Sequence, residues 1–171
     1  MKKLYLYLAV VGVVLFAGLW AAIALPVLGQ SMSNNFDARL DGFQETPAVS
    51  TTGSGSFNAK TSVDDTEITY ELTYSGLEGP TTTAAHIHLG RPGVAGGVIA
   101  FLCGGGGKPA CPATSGTVSG TIVAADVIGP VAQGISPGEF AELLRALREG
   151  ATYANVHTNL FPGGEIRGEI R

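Results

Sequence analysis

The chain of 171 residues contains three histidines, all within two short motifs, His86-Ile87-His88 and Asn155-Val156-His157. Both motifs sit in β-prone runs, where side chains at i and i+2 leave the same face of a strand. His86 and His88 therefore project together, while Ile87 and Leu89 turn to the core. Asn155 and His157 share a face in the same way, opposite Ala154 and Val156. If the two strands are neighbours, three imidazoles meet on one wall. Neutral imidazole is a good ligand for copper and zinc, and three such ligands leave one coordination position open. A second reading stays open beside it, a hydrogen-bond network in which His86 or His157 ties down glycine-rich loops. Tyr153, Asn155, Glu165 and Arg167 are candidates for orienting the imidazoles. No His-Glu-x-x-His, Ser-His-Asp order or paired-carboxylate motif supports a hydrolase, and no catalytic residue is assigned.

Cys103 and Cys111 enclose the run from Gly104 to Ala110. In an oxidising compartment the pair reads as a disulfide. A bridge across four consecutive glycines removes freedom from the unfolded chain worth about 2–3 kcal/mol in the chain-entropy model. The competing reading, a thiolate pair for copper or zinc, matches no usual zinc spacing. Gly104 to Gly107 also lack the Gly-Lys-Ser/Thr that completes a phosphate loop.

These residues must be positioned outside the cytoplasm for that chemistry to hold. Lys2 and Lys3 precede an uncharged stretch from Leu4 to Leu28, followed by Gly29 and Gln30. Residues 1–29 read as a signal peptide cleaved before Gln30. They also read as an uncleaved signal anchor, because the stretch exceeds a signal core of ~7–15 residues and reaches the ~20 that span a bilayer. The two lysines hold the amino terminus on the cytoplasmic side in both cases. Residues 30–171 are thus expected to be extracytoplasmic, either secreted or tethered to the membrane only through residues 4–28.

Composition bounds the rest. Hydrophobic residues make up 45% of the chain and charged residues 14%, and there are 25 glycines. That excludes a coiled coil and a charge-rich disordered chain, and without a Gly-X-Y period it excludes collagen. Setting aside Lys2 and Lys3 leaves 8 basic against 14 acidic side chains, a formal charge of −6. Lysines and arginines are dispersed singly, so nucleic acid is not an expected partner.

Eight runs read as strands: Phe36 to Leu40, Gly55 to Ala59, Glu67 to Tyr74, Thr83 to Leu89, Val98 to Leu102, Gly116 to Val123, Thr152 to His157, and Glu165 to Arg171. Ile68, Tyr70, Leu72 and Tyr74 alternate with polar residues, as do Ile166 and Ile170, so each of those strands is expected to keep one wet face. Ser136-Pro137-Gly138-Glu139 resembles a capping box, and Phe140, Leu143, Leu144 and Leu147 follow at helical spacing until Gly150. One helix over Pro137 to Glu149 should lie as a lid on the core. The expected fold is all-β, an antiparallel Greek-key-like sandwich of about eight strands with one crossover helix, preceded by the hydrophobic signal or anchor helix.

Several motifs in order carry a family resemblance. They are Phe36-x-Ala38-x-Leu40-x-Gly42-x-x-Glu45-x-Pro47, Tyr70-x-Leu72-x-Tyr74-x-Gly76-Leu77, Ala85-His86-Ile87-His88-x-Gly90-x-x-Gly93, Tyr153-x-Asn155-Val156-His157-Thr158 and Pro162-Gly163-Gly164-Glu165-Ile166-Arg167-Gly168. From Phe36 to the last residue the chain resembles the CHRD domain, the module named from chordin, in its stand-alone exported microbial form. The resemblance implies a β-sandwich in an extracytoplasmic setting and no established reaction. Chordin's cysteine-rich growth-factor-binding domains have no counterpart here. A weaker likeness joins His86-x-His88 and Gly90 to the copper-ligand strand of Cu/Zn superoxide dismutases, also Greek-key sandwiches. Three histidines cannot assemble that family's dinuclear site. The sequence thus supports an exported binding module holding one copper or zinc ion through His86, His88 and His157. The alternatives are a metal-free adhesion or interaction module for an extracytoplasmic protein partner and, third, a superoxide dismutase-like copper oxidoreductase.

Overall fold

The computed structural model describes residues 34–171. The expected leader over residues 1–29 lies outside the described residues. Eight strands follow one another as β1 (Asn35–Asp41), β2 (Ser54–Thr61), β3 (Glu67–Ser75), β4 (Thr82–Leu89), β5 (Val98–Cys103), β6 (Gly116–Val123), β7 (Thr152–Thr158) and β8 (Ile166–Glu169). Each falls on one of the eight β-prone runs. They form one sheet in the order β5-β4-β7-β8-β1-β2-β3-β6, and every pairing is antiparallel. The sheet folds back until its two edges approach. The Tyr70 hydroxyl on β3 donates to the Leu102 carbonyl on β5 at 2.6 Å, and Lys108, just past β5, donates to the Thr121 carbonyl on β6 at 2.6 Å. The result is the expected all-β sandwich, nearly closed into a barrel.

The core follows from strand alternation. Ile68, Tyr70, Leu72 and Tyr74 of β3 join Phe57 of β2, Ile87 of β4, Ile99 and Leu102 of β5, Val156 of β7 and Ile166 of β8 in one buried cluster. The β6–β7 crossover carries α1 (Phe140–Arg148), whose Phe140, Leu143, Leu144 and Leu147 complete that cluster, so the helix is a lid on the core. It begins three residues later than the sequence suggests. Glu139 does accept a hydrogen bond from the Ser136 amide at 2.6 Å, but Gly138 lies at φ +86°, a left-handed conformation that no helical turn contains, and Gly150 at φ +58° closes the other end.

One expectation about faces is overturned. β8 has no wet face at its start: Glu165 and Arg167 are 0% and 1% exposed. Charged side chains are buried only when their charges are met, and here both are. Arg167 Nη2 donates to Glu169 at 2.8 Å, and the Glu165 carboxylate collects four hydrogen bonds. Beneath this polar layer the β4–β7 pairing sets the site.

Candidate metal centre

Strands β4 and β7 are neighbours, and their register sets Ala84 against His157, His86 against Asn155 and His88 against Tyr153. Ala85 and Ile87, like Ala154 and Val156, are fully buried in the core. The intervening side chains therefore share the opposite face, as the i, i+2 spacing requires. Ring centres lie 5.3 Å apart for His86 and His88, 4.9 Å for His86 and His157, and 5.7 Å for His88 and His157. One ring nitrogen from each histidine lies within 4.8 Å of those of the other two. Metal–nitrogen bonds of ~2.0–2.1 Å bring tetrahedral ligand atoms to about 3.3 Å from each other, so binding draws no side of the triangle in by more than about 1.5 Å.

The remaining ring nitrogens explain the orientation. His88 Nδ1 donates to the Gly96 carbonyl at 2.9 Å, and His157 Nδ1 donates to the Pro162 carbonyl at 3.1 Å. A carbonyl oxygen only accepts, so in both rings the hydrogen sits on Nδ1 and the lone pair on Nε2. Those two Nε2 atoms, together with His86 Nδ1, are buried and have no hydrogen-bond partner. Holding the far nitrogen of a ring on a carbonyl is the arrangement by which proteins fix the tautomer of a ligating histidine. His86 is fixed differently, edge-on to Phe101 of β5 with ring centres 4.4 Å apart.

Burial acts on the same rings. It pulls His86 down to about 3, helped by the neighbouring His157 and His88. It pulls His88 down to about 4 against the contrary effect of the Gly96 carbonyl, and it lowers His157 despite the Pro162 carbonyl. At neutral pH the wall therefore carries three uncharged imidazoles with free lone pairs.

Of the four candidate orienting residues, the structure brings one, Tyr153, against a histidine and a second, Arg167, against Tyr153. Tyr153 stacks on His88, with ring centres 4.7 Å apart and planes 6° apart. Its hydroxyl accepts from the Gly96 amide at 3.0 Å, so one residue holds both rings. Arg167 covers the far side of Tyr153, its guanidinium carbon 3.4 Å from the ring centre. Asn155 turns instead to Glu45, donating at 2.6 Å, and to the Ile166 carbonyl at 2.9 Å. Glu165 points away to the loops, accepting from the Glu78 and Gly79 amides and from the Thr51 and Thr158 hydroxyls at 2.6–3.1 Å. Burial opposes its ionisation, but those four donors outweigh it and hold the carboxyl below its usual range.

Sequence reasoning missed Gly96 and Pro162, which act through backbone carbonyls and leave no side-chain signature. It also missed Phe101 and Glu45. Glu45 is nearly buried, and loss of water pushes its carboxyl up to about 7, although Asn155 and then Arg167 pull the other way. Its only sequence signal was its place in the Gly42-x-x-Glu45-x-Pro47 motif. The two cysteines form a disulfide, as expected of the pair in an oxidising compartment.

Among curated proteins and among solved structures no match is found. The family model of the CHRD domain, in contrast, matches residues 36–170, which takes in the eight strands except Asn35 at the start of β1, the helix, the disulfide and the three histidines. With the sheet, the motif order and this match in agreement, the chain belongs to the CHRD domain family.

Proposed function

We propose that this protein is an exported CHRD-domain binding module that holds one copper or zinc ion through His86, His88 and His157. The observation that carries the reading is the set of three buried, unpartnered ring nitrogens, one from each histidine. A buried acceptor without a partner costs about 1–3 kcal/mol, and three in one place are retained against that cost when something else supplies the partner. The disulfide supports an oxidising compartment for the domain. A fourth coordination position is left to water or to a group of the bound partner.

The test is metal analysis of the purified protein after loading with copper or zinc and removal of the excess. One equivalent is expected in the wild type and less than a tenth of that in His88→Ala and His157→Ala. Equal metal content in all three would overturn the three-histidine site, and no bound metal in the wild type would favour a metal-free interaction module. Export is tested separately by mass spectrometry of extracytoplasmic material, which should begin near Gln30 or carry the intact leader.

A further inference from the structure

The charges around the three imidazoles bear on which ion they take. His88 and His157 give their Nδ1 hydrogens to peptide carbonyls, and His86 lies against a phenyl ring. None of these contacts is with a carboxylate. A charged side chain does face the site from behind. The 3.4 Å step from Arg167 to the Tyr153 ring and the 4.7 Å step from that ring to His88 place the guanidinium within about 8 Å of the His88 ring centre. Arg167 is buried, and its acidic partner Glu169 takes both Nε and Nη2, while Nη2 also donates to the Arg91 carbonyl.

Three neutral ligands cancel none of an ion's charge. In a partly dry site the residual charge is penalised steeply, about as its square, and a guanidinium repels a dication twice as strongly as a monocation. We propose, on the reading that this is a metal centre, that it is built for copper(I) in preference to copper(II) or zinc(II), and that Arg167 sets that preference through the Tyr153–His88 stack. Copper(I) accepts three ligands, so it needs no fourth group to complete its shell. Arg167 is here a positioning and charge-setting residue that does not touch the ion.

The experiment titrates the purified protein with copper(I) under anaerobic reducing conditions, with copper(II) and with zinc(II), each against a chromophoric chelator. The readout is the ratio of the copper(II) to the copper(I) dissociation constant. Copper(I) is expected to bind at least a hundredfold more tightly than copper(II) or zinc(II). Arg167→Gln leaves Glu169 uncompensated and should lower the ratio about tenfold, the scale of one unit charge at this distance. Glu169→Gln removes the carboxylate bonded to the guanidinium and should raise it. If Arg167→Gln fails to fold, as judged by circular dichroism, the Glu169→Gln result decides alone. Equal affinities for the ions, or a ratio that a folded variant does not move in its stated direction, overturns this inference and leaves the metal centre standing. No binding of any of the three ions by the wild type overturns the metal centre itself.

Discussion

Tyr153 lies flat on His88, with ring planes 6° apart, and the two side chains grip the same residue, Gly96, from either side of its Cα, Tyr153 at the amide and His88 at the carbonyl. Gly96 sits in the loop between β4 and β5, so the orientation of one imidazole depends on a loop that β7 holds in place.

Tyr153→Phe keeps the stack and removes the hydroxyl. The Gly96 amide then loses its acceptor, which should destabilise the fold by about 1–2 kcal/mol. Metal affinity should fall about tenfold as His88 loses its fixed carbonyl, within the range typical for groups that orient a ligand. Chemical denaturation and a chelator-competition titration read the two effects separately. A loss of stability with unchanged affinity would assign Gly96 to the loop alone.

How much of this was legible beforehand depends on the interaction. Alternation at Ile68, Tyr70, Leu72 and Tyr74 and the i, i+2 spacing of His86 and His88 are local, and a chain written that way has one way to bury its apolar face. The pairing of β4 with β7 is not local, and nothing in either strand specifies a neighbour some seventy residues away. Arg167 read as a solvent-facing strand residue for the same reason. Its burial depends on Tyr153 across the sheet, on the Arg91 carbonyl and on Glu169, whose role as a partner only the folded geometry defines. The start of α1 was misplaced because Pro137 and Glu139 are good first-turn residues, whereas the left-handed Gly138 between them is a choice made by packing.

The disulfide loop should matter to the site as well as to stability. Gly105 and Gly106 lie on the Phe101 ring so closely that a Cβ at either position would come within 2.4 and 2.8 Å of it. Phe101 in turn packs edge-on against His86. Reducing Cys103–Cys111 should cost about 2–3 kcal/mol of stability and loosen Phe101, lowering metal affinity severalfold. Gly105→Ala should reproduce the affinity loss with the disulfide intact. Denaturation curves with and without reductant, paired with metal titration of Gly105→Ala, check both parts.

A change in the lid should leave the histidines alone. Leu143 is fully buried under α1, and Leu143→Ala removes it at an expected cost of about 2–4 kcal/mol. Because α1 packs on the core with Ile87 and Val156, on the opposite face of β4 and β7 from the histidines, metal stoichiometry measured under conditions where the variant is folded should remain that of the wild type.

The final prediction concerns pH, where two sets of groups act with opposite signs. The histidines have folded values below the ordinary 6.5, at about 3 for His86 and about 4 for His88, with His157 also lowered. Between 6.5 and those values the unfolded chain binds more protons than the folded one, so stability falls as pH drops through that window, by roughly 1 kcal/mol per pH unit each for His86 and His88, with His157 acting in the same direction. Glu45 is raised from 4.5 to about 7, so there the folded chain holds the extra proton, and its contribution is lost as pH rises from 4.5 to 7. The apo protein should therefore be less stable at pH 4.5 than at pH 6.5, but by less than the histidines alone would give. Glu45→Gln keeps the acceptor for Asn155 and removes the opposing titration. It should be more stable than the wild type at pH 8 by about 2–3 kcal/mol and should steepen the acid limb. Metal binding follows the same histidines, since proton and metal compete for one lone pair. Affinity should fall much less between pH 7 and 6 than three ordinary imidazoles, with values near 6.5, would give. Urea denaturation and metal titration at half-unit pH intervals decide the matter. An affinity that falls tenfold between pH 7 and 6 would mean that the three rings are not desolvated as the fold implies.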